Sequence, residues 1–99
     1  MLSVEISGDT AVTRVALAGE LDLASKALLA QAMREAPAEV VELDLAALTY
    51  CDSAGIGALV SAQRQVREDG RALYVVNVRG MVQSVLQVSG VLTELTERA

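Results

Sequence analysis

The chain has 99 residues and a formal net charge of −5; 53% of its residues are hydrophobic, 2% are aromatic, and there is no Trp or Phe. That length suits one domain and not two, and its core must be built from Val, Leu, Ile, Ala and Met. The acidic balance, with no cluster of basic residues, argues against a nucleic-acid surface and against an anionic membrane surface.

The first residues alternate. Leu2, Val4 and Ile6 share one face and Ser3, Glu5 and Ser7 the other, which predicts a half-buried strand. Gly8-Asp9 reads as a turn, and Val12 to Leu17 as the hairpin partner. "AGELD" is expected to end that strand and enter a loop. Glu5 and Asp9, and the lack of a basic start, do not fit a signal peptide. Ser25 is a candidate N-cap for a helix bearing Leu28, Leu29, Ala32 and Met33 at helical spacing, and Pro37 marks its end. Val40 to Leu45 is a short β-branched run that reads as a central strand, and Leu48 to Cys51 carries the chain to "CDSAG". From Ala54 the period is helical: Ile56, Leu59, Val60, Gln63 and Val66 mark one side, and Arg64, Arg67 and Glu68 the other. Gly70 is a stop signal. Ala72 to Val78 is a further strand. Gly80 opens a helix with Val82, Val85, Leu86 and Ser89 adjacent, and Val91 to Glu97 forms a short last one.

Strands alternating with helices predict an α/β domain over residues 1–99, with right-handed crossovers. The expected sheet is mixed, with about four to five strands and helices mainly on one face. Functional sites in such sheets gather where strands end and helices begin, and Asp52-Ser53 lies at such a junction. The longest uncharged stretch, Gly80 to Thr93, is shorter than a membrane span of about 20 residues, so no membrane insertion is expected. A single cysteine, Cys51, forbids an intrachain disulfide, and the expected location is cytoplasmic.

The serine at the junction admits several chemistries. "CDSAG" has the letters of a protease serine loop, but the chain contains no His, so a Ser-His-Asp triad is impossible. Lys26 is the sole lysine and sits near a helix start, and the G-x-S-x-G elbow is absent. "SAGIGALV" lacks the spacing of a phosphate-binding loop and its lysine. A phosphorylated-aspartate receiver would use Asp44, but no early acidic pair and no late lysine accompany it. In structural terms Ser53 would be an N-cap, with Gly55 and Gly57 admitting close packing at about 1 kcal/mol each in helix propensity. Asp44 and Asp52 read as structural, Asp52 also as an electrostatic neighbour of Ser53. Cys51 reads as a small buried residue.

"LAGELDLAS" (Leu17 to Ser25) followed by "VVELDLAALTYCDSAGIGALVSAQRQVREDG" (Val40 to Gly70) resembles the anti-sigma factor antagonist family, the STAS domain. Its two markers are G-E-L-D at Gly19 to Asp22 and D-S-x-G at Asp52 to Gly55, and the resemblance reaches "VLQVSGV" near the C-terminus. Tyr50-Cys51 departs from the bulkier apolar residues common in the family. The resemblance implies a non-enzymatic bacterial switch without cofactor or metal. Its unphosphorylated form would bind an anti-sigma factor that is also a GHKL-type serine kinase, thereby freeing a sigma factor. Phosphorylation of Ser53 would release that partner, and a serine phosphatase would reset the switch. Asp22, Asp52, Ser53, Ala54 and Gly55 are the implied partner-binding residues. Asp22 is equally readable as a loop or cap aspartate. The same family implies an alternative: a non-switching STAS scaffold subunit of a lipid-transport or stress-signalling assembly.

Overall fold

The computed structural model describes residues 1–97. Its elements in chain order are β1 (Leu2–Gly8), β2 (Val12–Leu21), α1 (Lys26–Glu35), β3 (Val40–Cys51), α2 (Ser53–Glu68), β4 (Ala72–Val76), α3 (Gly80–Val88) and α4 (Leu92–Thr96). The four strands form one mixed sheet in the order β1-β2-β3-β4. β1 is antiparallel to β2, while β2–β3 and β3–β4 are parallel. Both parallel pairs are joined by a helix and both steps move the same way along the sheet. Right-handed crossovers therefore put α1 and α2 on the same face.

The alternation along the strands matches this one-sided arrangement. Val15, Leu17, Val41, Leu43, Leu45, Leu73 and Val75 point under the helices and join Leu29, Met33, Leu59, Val66, Leu86 and Leu95 in one buried cluster. The opposite face is polar at its centre. There the Arg14 guanidinium bridges Glu42 and Asp44 at 3.3 Å each, and Asp44 also accepts from Ala46 N and Asn77 Nδ2. Asp44 is thus a structural clamp, as its place in the strand suggests. The Ala46 amide, ahead of its other partners, holds its carboxyl below the usual carboxylate range.

Three element boundaries differ from expectation, each for a local reason. β2 runs on through Gly19 and Glu20 to Leu21 rather than ending at "AGELD". Register shifts between Ala16 and Ala18 and between Gly19 and Glu20 break the two-residue period there, so the pattern stops looking like a strand. Val40–Leu45 and Leu48–Cys51 are one strand, β3, whose side of that irregularity lies at Leu45 to Thr49. β4 stops at Val76 because Asn77 adopts φ 57°, a left-handed conformation that turns the chain out of the sheet.

Candidate functional site

The β2–β3 pairing builds the site. Leu21 is registered with Cys51, so the two strands finish side by side and deliver Asp22 and Asp52 to neighbouring chain ends. Strand order never reverses, so no crevice opens between diverging strands. The junction is instead an exposed corner formed by the β2–α1 loop and the start of α2.

Ser53 is not the cap of α2. Asp52 occupies that position with extended backbone, its Oδ1 accepts from Gly55 N at 2.9 Å, and its carbonyl accepts the first helical bond from Ile56 N. Ser53 is the first helical residue and is exposed. A carboxylate accepts an amide bond more strongly than a hydroxyl does, which favours Asp52 over Ser53 as cap. The Ser53 and Ala54 amides stay outside the cap bond, at the positive end of the helix dipole.

Asp22 is held by its own loop. Its Oδ1 accepts from Ser25 N at 3.0 Å, while its amide donates to Ser25 Oγ at 3.0 Å. Ser25 Oγ lies 2.9 Å from both the Glu20 carbonyl and Asp22 Oδ1, either of which can take its single proton. Ser25 does sit at the N-cap position of α1, but it makes no side-chain cap bond, because its hydroxyl is used backwards to lock this loop. The G-E-L-D stretch thus ends in a hydrogen-bonded turn that follows Leu21, the register partner of Cys51.

The glycines of α2 have different reasons. A Cβ on Gly55 would run into the Leu21 carbonyl oxygen and lie 2.8 Å from Cys51 Sγ, so Gly55 is where α2 seats on the end of β2. Gly57 has nothing within 4 Å in the Cβ direction, contrary to the expectation that both glycines serve close packing. It opens instead onto a groove of about 460 Å³ between α1 and α2, lined among others by Lys26, Ala30, Ala54, Ala58 and Ser61. Cys51 is buried, as its small size suggests, and burial followed by the neighbouring Asp52 pushes its thiol up to about 11. Two features of the corner were not singled out as binding residues from the sequence: Lys26 on the groove wall, and Leu23, which is 67% exposed in the loop after Asp22. An apolar residue beside "GELD" was the available signal for Leu23.

Among the described residues no group of three or more His, Cys, Asp or Glu could hold a metal ion, and no helix is long and apolar enough to cross a membrane.

Known structures share this architecture. The anti-sigma factor antagonist SpoIIAA in its unphosphorylated form aligns with a TM-score of 0.74 at 20% identity, covering 98% of this chain and 88% of that one. An anti-sigma factor antagonist from Mycobacterium paratuberculosis aligns with a TM-score of 0.77 at 18% identity, covering 97% and 83%. The murine anion transporter Slc26a9 contains a similar unit, with a TM-score of 0.73 at 20% identity, covering 89% of this chain and 15% of the transporter. At these identities the likeness establishes the fold. No curated protein sequence matches the chain. The family model described as "Mlab, STAS domain" matches residues 4–97, nearly the whole length. With that match laid over a four-stranded mixed sheet of the SpoIIAA kind, the chain belongs to the STAS-domain family.

Proposed function

We propose that this protein is an anti-sigma factor antagonist, a bacterial cytoplasmic regulator and not an enzyme, with Ser53 as its phosphate acceptor. The carrying observation is the division of labour at the start of α2: Asp52 makes the cap bond, which leaves the exposed Ser53 hydroxyl available for modification. The partner would be an anti-sigma factor with GHKL-type serine kinase activity. It would transfer the γ-phosphoryl group of ATP to Ser53 Oγ, with ADP leaving and the hydroxyl proton passing to solvent or a kinase base. A serine phosphatase would hydrolyse the ester and restore the binding form. Asp22, Asp52 and Ala54 would supply the contact surface at this corner, while the buried Gly55 seats α2 beneath it. The added charge of about −1.5 to −2 is tolerated by the helix start and repels the partner. Against one partner carboxylate at about 5 Å, with an effective dielectric of about 20, each added charge costs roughly 3 kcal/mol, on the order of a hundredfold in affinity before screening.

A second reading follows from the family description, which is Mlab, and from the transporter that carries the same unit. In it the domain is a constant scaffold subunit of a transport assembly, and Ser53 is not modified. One experiment separates the two. The protein is incubated with a candidate GHKL-type anti-sigma kinase from the same genome and ATP, phosphate is mapped by mass spectrometry, and the Ser53, Ser53→Ala, Ser53→Asp and phosphorylated forms are titrated calorimetrically against that partner. The switch reading expects one phosphate on Ser53, with Ser and Ala binding tightest, then Asp, then phosphoserine. Stoichiometric labelling elsewhere, or equal affinity for all four forms, would refute it.

A further inference from the structure

The groove between α1 and α2 holds a cation on the same lining as Ala54, the residue that follows Ser53. Lys26 is the first residue of α1 and lines the groove together with Ala54 and Gly57 of α2. Ala54 follows Ser53 directly, and Gly57 lies one helical turn beyond it, on the same face as Ser53. Gly57 presents no side chain, and the space in front of it is open. A flexible four-carbon lysine stem can therefore swing along the groove towards the start of α2.

Among the described residues the other cations are committed or distant. Arg14 pairs with Glu42 and Asp44, Arg71 donates to the Ala36 and Ala38 carbonyls, and Arg79 donates to the Ala46 carbonyl. Arg64 and Arg67 lie in the later turns of α2, and Arg34 in the last turn of α1. The acids at the corner act the opposite way. Asp52 carries the cap and Asp22 the loop lock, while Glu20 pairs with the N-terminal amine at 2.8 Å. A phosphate on Ser53 would meet those two aspartates, two free helix amides and one mobile cation.

We infer that Lys26 is the counter-ion, within the same chain, of phosphorylated Ser53. Pairing draws the phosphate across the mouth of the α1–α2 groove, so modification alters the shape of this surface as well as its charge. This inference rests on the reading of Ser53 as the acceptor, and its test is independent of any kinase. Phosphoserine is incorporated at position 53 by codon reassignment, and its second ionisation is followed by phosphorus NMR in three proteins: otherwise unchanged, Lys26→Gln and Arg64→Gln. Both variants remove one positive charge, but only one removes it at the groove mouth. A nearby cation favours the dianion, so Lys26→Gln should raise the phosphate pKa by about half a unit, while Arg64→Gln moves it by about a tenth. Equal shifts in the two variants, or no shift in Lys26→Gln, would overturn the pairing, as would loss of the folded amide spectrum when phosphoserine is introduced. A kinase that ignores Ser53 while the Lys26→Gln shift is present would refute the switch reading and leave the pairing intact.

Discussion

Two glycine-to-alanine changes two residues apart, on different faces of α2, should move stability in opposite directions. In Gly55→Ala the new methyl meets the Leu21 carbonyl oxygen, a backbone atom that cannot rotate aside, and sits 2.8 Å from Cys51 Sγ. Either the start of α2 lifts from the end of β2 or β2 itself shifts. Overpacking of this kind costs about 3 kcal/mol at the upper end of its range, and the gain in helix propensity returns about 1, for a net loss of about 2 kcal/mol. In Gly57→Ala the methyl enters open groove, so only the propensity gain of about 1 kcal/mol remains. The contrast of about 3 kcal/mol corresponds to about 15 °C in Tm for a domain of this size. Urea and thermal unfolding followed by circular dichroism measure both variants against the parent. If Gly55→Ala is as stable as the parent, or Gly57→Ala is the more damaging of the two, the seating of α2 on Leu21 is wrong.

Two further outcomes follow from the same corner. Asp52→Ala removes the cap bond to Gly55 N and should cost about 1 kcal/mol, whereas Ser53→Ala removes no cap and should stay within about 0.5 kcal/mol of the parent in the same urea titrations. Cys51 should resist iodoacetamide at neutral pH until the domain unfolds, because the thiol is buried and its ionisation is pushed up to about 11. Between the ordinary thiol value near 9 and about 11 the folded state holds a proton that the unfolded state has lost, so stability falls as pH rises through that window. Unfolding free energies measured across it should decline, and Cys51→Ala should flatten the decline.

The apolar periods along the chain determined most of the architecture. Alternation in Leu2–Ile6 and Val40–Leu45, helical spacing in Leu28–Met33 and Leu59–Val66, and stop signals at Pro37 and Gly70 suffice for a mixed α/β sheet, because burial acts on every residue of an element and repeats along it. The D-S-x-G junction was legible for a related reason: a strand, a short polar step and a helix start follow one another in the sequence itself. Which atom capped that helix was decided only in three dimensions. Asp52 and Ser53 are adjacent and both are good cap residues, and the choice turns on one extended backbone conformation and one 2.9 Å bond. The tertiary structure likewise separated Gly55 from Gly57, because only Gly55 faces the carbonyl of Leu21, which pairing with Cys51 brings to that point. It also set Lys26 on the groove beside Ala54. Such meetings join residues on different elements through sheet register and helix packing, and no local period in the chain encodes them.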